Sequence, residues 1–242
     1  MFQLLKAELA ALMKWKATIY TILFMIGLGA IIPLMNSVLY EDPTMQGFFE
    51  FTYIVLLISS VIIGLFVYKD YSQNTIRNKV IVGHSRATVY FSKALLVALS
   101  LIGFFLIFLL STFVVGMCIG DLSYLNMSVF IQSCVIVICS ILTAASLISL
   151  IAVNIQSPVG ALLPMMLLFS IMFLSMLYAE MLMINEQTEI LELLQTLPLT
   201  SCLMLNEVTK PFNMVGTIIY SIITCAVMQI FGCGIFQRIN LK

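Results

Sequence analysis

Charge is scarce in this chain. Asp, Glu, Lys and Arg make up 9% of its 242 residues, while 62% are hydrophobic. Soluble domains carry about 25% charged residues, and a soluble fold this apolar would expose large sticky patches. The formal net charge is zero, so no basic excess points to nucleic acid. Histidine occurs only as His84, which leaves no histidine–carboxylate cluster for a metal or an intramembrane enzyme. Cys118, Cys134, Cys139, Cys202, Cys225 and Cys233 form no C-x-x-C pair, and five of the six lie in apolar runs. That pattern speaks against a disulfide framework and a zinc site, and for small apolar side chains. No Gly-Lys pair exists, so the chain cannot hold ATP through a P-loop, and no TVGYG-type filter marks an ion channel.

What is present is apolar sequence in long runs. A helix needs ~20 mostly apolar residues to cross the hydrocarbon core. Six runs qualify, at 17–39, 51–68, 94–119, 127–153, 159–179 and 214–237, and none contains Asp, Glu, Lys, Arg or His. Ion-coupled transporters hold their ion with such groups at membrane depth. Turn and charge signals separate the runs: Glu41-Asp42-Pro43, Gly120-Asp121 and Asn154-Ile155-Gln156-Ser157-Pro158. Ser157 is placed to cap the fifth helix, with Pro158 at its first position. The first run is too long for a signal-peptide core and no A-x-A site follows it, so cleavage is not expected.

The charges fix a side. With the N-terminus inside, Lys6, Lys14, Lys16, Lys69, Arg77, Lys79, Arg86, Lys93, Arg238 and Lys242 all lie inside and only Lys210 lies outside. Glu8 and Asp70 are then the only acids inside. The positive-inside rule therefore places both termini in the cytoplasm. The fold class expected is an all-α membrane protein, one six-span domain over 1–242.

Three stretches are not spans. Residues 2–16 read as an amphipathic helix in the inner interface, with Phe2, Leu5, Leu9, Leu12 and Met13 on one face and Gln3, Lys6 and Lys14 opposite. Residues 69–93 read as two short helical pieces: Asp70 or Ser72 caps the first, Gly83 ends it in a left-handed conformation, and Ser85 caps the second. Residues 180–213 contain Glu186, Glu189 and Glu192 on one helix face and Ile190, Leu191, Leu194 and Leu197 on another, ended by Pro198. This outer amphipathic helix is either the lid of a pathway or packing over the span ends, and both readings stay open. Gly116-x-x-x-Gly120 is a weak signal for close helix approach.

Asp70-Tyr71-Ser72-x-x-Thr75-Ile76-Arg77-Asn78-Lys79, followed by Gly83-x-Ser85-Arg86-x-x-x-Tyr90-x-x-Lys93, resembles permeases of the ABC type-2 transporter family. In that family a charged residue ends the second span and a "G-T-hydrophobic-[RK]-N" run forms the coupling helix that docks on an ATPase. Asn74 stands here where glycine is common. The resemblance implies a half-transporter, in which two six-span subunits, identical or not, join two separate ATPase subunits. ATP and magnesium then belong to the partner, and this chain carries no cofactor and no catalytic residue. Asp70, Thr75, Ile76, Arg77, Asn78, Lys79, Val80, Gly83, Ser85 and Arg86 become the expected ATPase-coupling set. Ile76 and Val80, four apart, share a face, which is expected to enter the ATPase groove. Arg77 and Lys79 point to different sides, one to acids of the ATPase and the other to headgroup phosphates.

The family also turns its second and fifth spans toward the dimer axis, which makes Tyr53, Ser59, Ser60, Ser170 and Ser175 the pathway-lining candidates. Such an apolar, weakly polar path suits amphipathic peptide or lipid-like cargo. Analogy with lantibiotic-immunity, bacitracin-resistance and phenol-soluble-modulin systems points to peptide export from a bacterial cell. The contrasting reading is a membrane sensor or immunity subunit that binds a peptide without transporting it. Topology has a direct check: single cysteines introduced at positions 78 and 188 should react from opposite sides of the membrane. Labelling of both from outside intact cells would eliminate the six-span arrangement.

Overall fold

The computed structural model describes residues 2–39, 51–119, 127–184, 196–201 and 214–239. Every element among them is helical: α1 (Phe2–Lys14), α2 (Lys16–Leu39), α3 (Thr52–Ser72), α4 (Thr75–Ile81), α5 (Arg86–Ile119), α6 (Met127–Asn154), α7 (Pro158–Ile184), α8 (Pro198–Ser201) and α9 (Met214–Arg238). In lipid, backbone polar groups must be satisfied within the segment, and a helix does this. Six of the helices, α2, α3, α5, α6, α7 and α9, are long and apolar enough to cross a membrane. The chain is thus a multi-pass membrane protein, all-helical among the described residues. The helices follow the apolar runs closely except at one place. α3 continues to Ser72 and α5 starts at Arg86, so both carry their helices past the apolar limits into the charged 69–93 stretch. At 34 residues, α5 is about 50 Å long, well beyond a hydrocarbon core of about 30 Å.

Lipid offers no hydrophobic drive between helices, so close packing and interhelical hydrogen bonds hold them. Two glycines let backbones approach. A methyl on Gly29 of α2 would lie 2.6 Å from the Phe108 carbonyl oxygen and 2.9 Å from Ser111 Cβ on α5. A methyl on Gly64 of α3 would overlap the Ala161 backbone on α7. Gly116 is buried, while Gly120 lies outside the described residues. α6 forms the centre, with Val137, Ile141, Ala144, Ile148 and Val153 all buried. Its parallel neighbour α9 is joined to it at successive levels. Ser221 Oγ donates to the Cys139 carbonyl (3.1 Å), Ser146 Oγ to Met228 Sδ (3.2 Å), Gln229 Nε2 to Ser149 Oγ (2.9 Å) and Asn154 Nδ2 to the Gly232 carbonyl (3.3 Å). Each such bond contributes about 0.6 kcal/mol on average, so the seam's strength lies in its repetition.

α1 is built into the body more deeply than an interfacial helix would be. Leu5, Glu8 and Leu12 are its buried residues, and Leu5 and Leu12 pack with Phe66 of α3 and Leu96 of α5. Phe2 and Met13, expected on the same apolar face, are exposed. The buried stripe is narrower because protein, rather than lipid alone, covers it. Trp15 follows the helix and meets Phe66 in a tilted ring contact, with centroids 5.7 Å apart.

Most of the expected outer amphipathic helix, with Glu186, Glu189 and Glu192, lies outside the described residues. Thr196 is helical, Leu197 bends, and Pro198 opens the short turn α8, so a helix does stop just before Pro198. The Pro198 carbonyl accepts from Ser140 Oγ, halfway along α6. Thr200 and Ser201 are buried, and their hydroxyls turn back to the Leu197 and Pro198 carbonyls at 3.0 and 2.9 Å. The turn is therefore inserted among α6, α7 and α9, where protein covers its backbone as membrane depth requires.

The glycine contacts carry a matched test. Gly27 and Gly103 have open space where a methyl would go, and Ala there removes about 1 kcal/mol of helix penalty. Gly64→Ala and Gly29→Ala should lower the melting temperature of purified protein by several degrees, while Gly27→Ala and Gly103→Ala should leave it unchanged or raise it. Equal effects at all four sites would refute close packing at Gly29 and Gly64.

Candidate functional site

The segment that carries the family-like letters folds into a fixed shape. At the end of α3, the Gln73 and Asn74 amides bond the Lys69 and Tyr71 carbonyls (3.0 and 2.9 Å). Asn74 then adopts φ 55°, ψ 19°, the left-handed region that asparagine tolerates better than most residues. This explains why glycine also suits that position. Both expected caps for the first piece, Asp70 and Ser72, are instead inside α3, and the Asn74 turn starts α4. Thr75 Oγ1 fastens it by donating to the Asp70 carbonyl at 2.9 Å. At the far end His84 N–H bonds the Lys79 carbonyl (3.2 Å), Gly83 N–H bonds the Val80 carbonyl (3.1 Å) and Gly83 has φ 104°. This is a Schellman closure, the left-handed stop expected at Gly83. Ser85 caps α5 as expected, accepting from the Thr88 amide at 3.2 Å.

Beneath α4 four charges from four helices meet. Lys79 Nζ lies 2.6 Å from Glu8 Oε1 and 4.0 Å from Asp70 Oδ2. Lys93 Nζ lies 3.3 Å from Glu8 Oε1 and also pairs with Asp70 Oδ2. Ser92 Oγ donates to Glu8 Oε2 at 3.4 Å. Lys93 is fully buried and Glu8 is 4% exposed. The ammonium of Lys93 also sits 5.4 Å from the Phe66 ring, and Lys69 covers Trp15 at 5.6 Å. Two acids and two bases cancel, which is what permits burial: an unpaired charge at such a site carries several kcal/mol of desolvation penalty. The cluster joins α1, α3, α4 and α5 at one point. Nearby, Tyr71 donates its hydroxyl to the Val153 carbonyl at the end of α6, and Arg86 Nη1 reaches the Gln237 carbonyl in the last turn of α9 and the Ile239 carbonyl just beyond it, both at 2.8 Å.

The coupling set divides in a way that overturns one expectation. Ile76 is fully buried in the protein's own core and Val80 packs partly against it, so this face is not the one presented to a partner. Lys79 is likewise turned inward, to Glu8. The three positions 76, 79 and 80 form one helix face, and the charge cluster holds that face down. Arg77, Asn78, Gly83 and Ser85 are exposed, as are Ile81 (70%) and Val82 (79%). Thr75 and Arg86 are half-buried.

The pathway candidates do not come together on one surface. Ser59, Ser60 and Ser175 are buried, Tyr53 is half-buried against the core and Ser170 is exposed. Ser60, Ser170 and Ser175 bond back to the Leu57, Met166 and Met172 carbonyls at 2.7, 2.8 and 2.8 Å, and Ser59 Oγ has no partner among the described residues. No cluster of three or more His, Cys, Asp or Glu among the described residues is placed to hold a metal. Sequence reasoning missed Glu8 and Ser92 as site residues and read Lys93 only as part of a motif. The available signal was Glu8 itself, a carboxylate three residues after Leu5 and four before Leu12 on the helix's inner face.

No protein-family model, curated protein or solved structure matches this chain.

The charge cluster generates a compensation test. Lys93→Met leaves two carboxylates facing one lysine, a change that costs about 3–5 kcal/mol when a buried pair is broken. The single variant should show a sharp loss of monodisperse protein in detergent. Combining it with Glu8→Gln restores neutrality and should recover a substantial part of that loss. A Lys93→Met variant that melts like the unaltered protein would show that the cluster does not hold the fold.

Proposed function

We propose that this chain is the membrane-spanning permease subunit of an ATP-driven exporter of the ABC type-2 class. It works as a dimer with separate ATPase subunits in a bacterial cell membrane, with both termini cytoplasmic. The observation that carries the reading is the mounting of α4. Its inner face is consumed by the Ile76 contacts and the Glu8–Lys79 pair, while Arg77, Asn78, Ile81 and Val82 project outward on a rigid turn. Ile81 and Val82 are exposed aliphatic side chains outside the spanning helices, a costly arrangement in water and a suitable one for a partner's groove. A push on α4 passes through the charge cluster directly to α1, α3 and α5, the mechanical requirement for a coupling element.

The side assignment follows the basic residues, because the cluster, the exposed tip of α4 and the ends of α6 and α9 all lie at one end of the bundle. The cargo that fits best is an amphipathic peptide, since no charged side chain lies within the apolar runs and the polar groups there are serines, threonines, tyrosines and amides.

Docking through Ile81 and Val82 would bury about 1.5–3 kcal/mol of apolar surface per side chain, and each 1.4 kcal/mol is tenfold in affinity. An Ile81→Asp, Val82→Asp double variant should therefore recover at least tenfold less of the ATPase that co-purifies with the unaltered chain, at equal membrane abundance and unchanged melting temperature. Arg77→Ala should weaken recovery only slightly, as exposed ion pairs contribute about 0–1 kcal/mol. Full recovery with the double variant would remove this surface from the coupling interface. Absence of any P-loop protein from the unaltered complex would favour the non-transporting sensor or immunity reading instead.

A further inference from the structure

A groove of about 670 Å³ opens on the flank of the bundle between α5, α6 and α9. Small residues create it: Ala87, Ala94 and Ala98 recur on one face of α5, and Ala145 faces them from α6. Phe91 and Ile222 form its apolar sides. The hydroxyls along its wall are already committed: Ser146 shares its proton between the Thr143 carbonyl (2.7 Å) and Met228 Sδ (3.2 Å), Ser221 donates to the Cys139 carbonyl (3.1 Å), and Thr88 pairs with Ser85 (2.7 Å). Apart from Gln229 Oε1, which has no partner among the described residues, the surface left over suits hydrocarbon. From Ala87 to Ala98 the groove follows α5 for about 16 Å, close to the ~15 Å that one leaflet contributes to a 30 Å core.

Its mouth is charged. Arg86, next to Ala87, bridges from α5 to the Gln237 and Ile239 carbonyls, and exposed Arg238 lies between those two residues. Only one guanidinium nitrogen of Arg86 is engaged among the described residues. The acids at this end of the described chain, Glu8 and Asp70, are both occupied by Lys79 and Lys93. A phosphate at the mouth would meet the Arg86 guanidinium, which binds phosphate in forked geometry, with exposed Arg238 on the adjoining backbone and no free carboxylate among the described residues at this end.

We propose that this groove is a binding site for an anionic phospholipid, with one acyl chain lying along α5 and its headgroup phosphate at Arg86 and Arg238. The lipid is a resident of the fold rather than cargo, held on three sides by α5, α6 and α9. It seals the seam where α9 meets α5, and it makes assembly sensitive to the anionic lipid content of the leaflet on the charge-cluster side.

The test is native mass spectrometry of the full-length chain in mild detergent, supplied with phosphatidylglycerol and phosphatidylethanolamine of identical acyl composition. One phosphatidylglycerol should be retained per chain, at least fivefold in preference to phosphatidylethanolamine. Ala98→Phe, which fills the groove, should lower retention at least tenfold. Arg238→Gln, a surface change that leaves packing untouched, should abolish the headgroup preference. Equal retention of both lipids by the unaltered chain would overturn the proposal. So would phosphatidylglycerol preference that survives Arg238→Gln, or a co-purifying membrane polypeptide that Ala98→Phe displaces while no lipid is retained.

Discussion

Lys93 has its ammonium group fully withdrawn from water, and the arrangement at the cluster end of the bundle follows from what is needed to keep it there. Its charge is matched by Glu8 from the first helix and Asp70 from the third, and the aromatic face of Phe66 closes over it. Both carboxylates facing Lys93 alone would leave an excess of one negative charge, and Lys79 of α4 completes the neutral set. A buried ion pair is weak as a source of stability, because desolvation offsets most of the attraction. Its effect is on arrangement: any movement that separates one member exposes or strands the others. The four helices therefore share one position rather than each finding its own.

This explains why a seven-residue helix can be rigid. α4 is far too short to persist by itself, since helices under ~12 residues are marginal in water. It is fixed at both ends by left-handed residues, Asn74 and Gly83, and from below by Ile76 and Lys79. Its outward side, with Ile81 and Val82, is exposed. The inward and outward faces thus have different surroundings, and only a substitution on the inward face acts through the fold.

The six spans were legible because apolar run length is read along the chain with no knowledge of neighbours, and the stop at Gly83 and the cap at Ser85 follow from local backbone chemistry. The face of α4 was not. Ile76/Val80 and Ile81/Val82 are both aliphatic pairs, and only the position of Glu8, some seventy residues away in sequence, decides which pair turns inward. The same holds for the pathway serines: spacing places them on two helices, while burial depends on how α3 meets α7 at Gly64. The descent of Pro198–Ser201 into the bundle was hidden for a related reason. An outer segment rich in leucine reads equally as a surface helix or as an inserted turn until the Ser140 hydroxyl is known to be there.

That inserted turn has a consequence for biosynthesis. Its polar backbone can enter the apolar depth only once α6, α7 and α9 together can enclose it, and α9 is the last of these to leave the ribosome. Until then 196–201 must wait at the aqueous margin, on the side opposite the charge cluster. Final assembly of the bundle is in this respect post-insertional: the spans are threaded first, and the turn is drawn in when the C-terminal helix closes the enclosure around it.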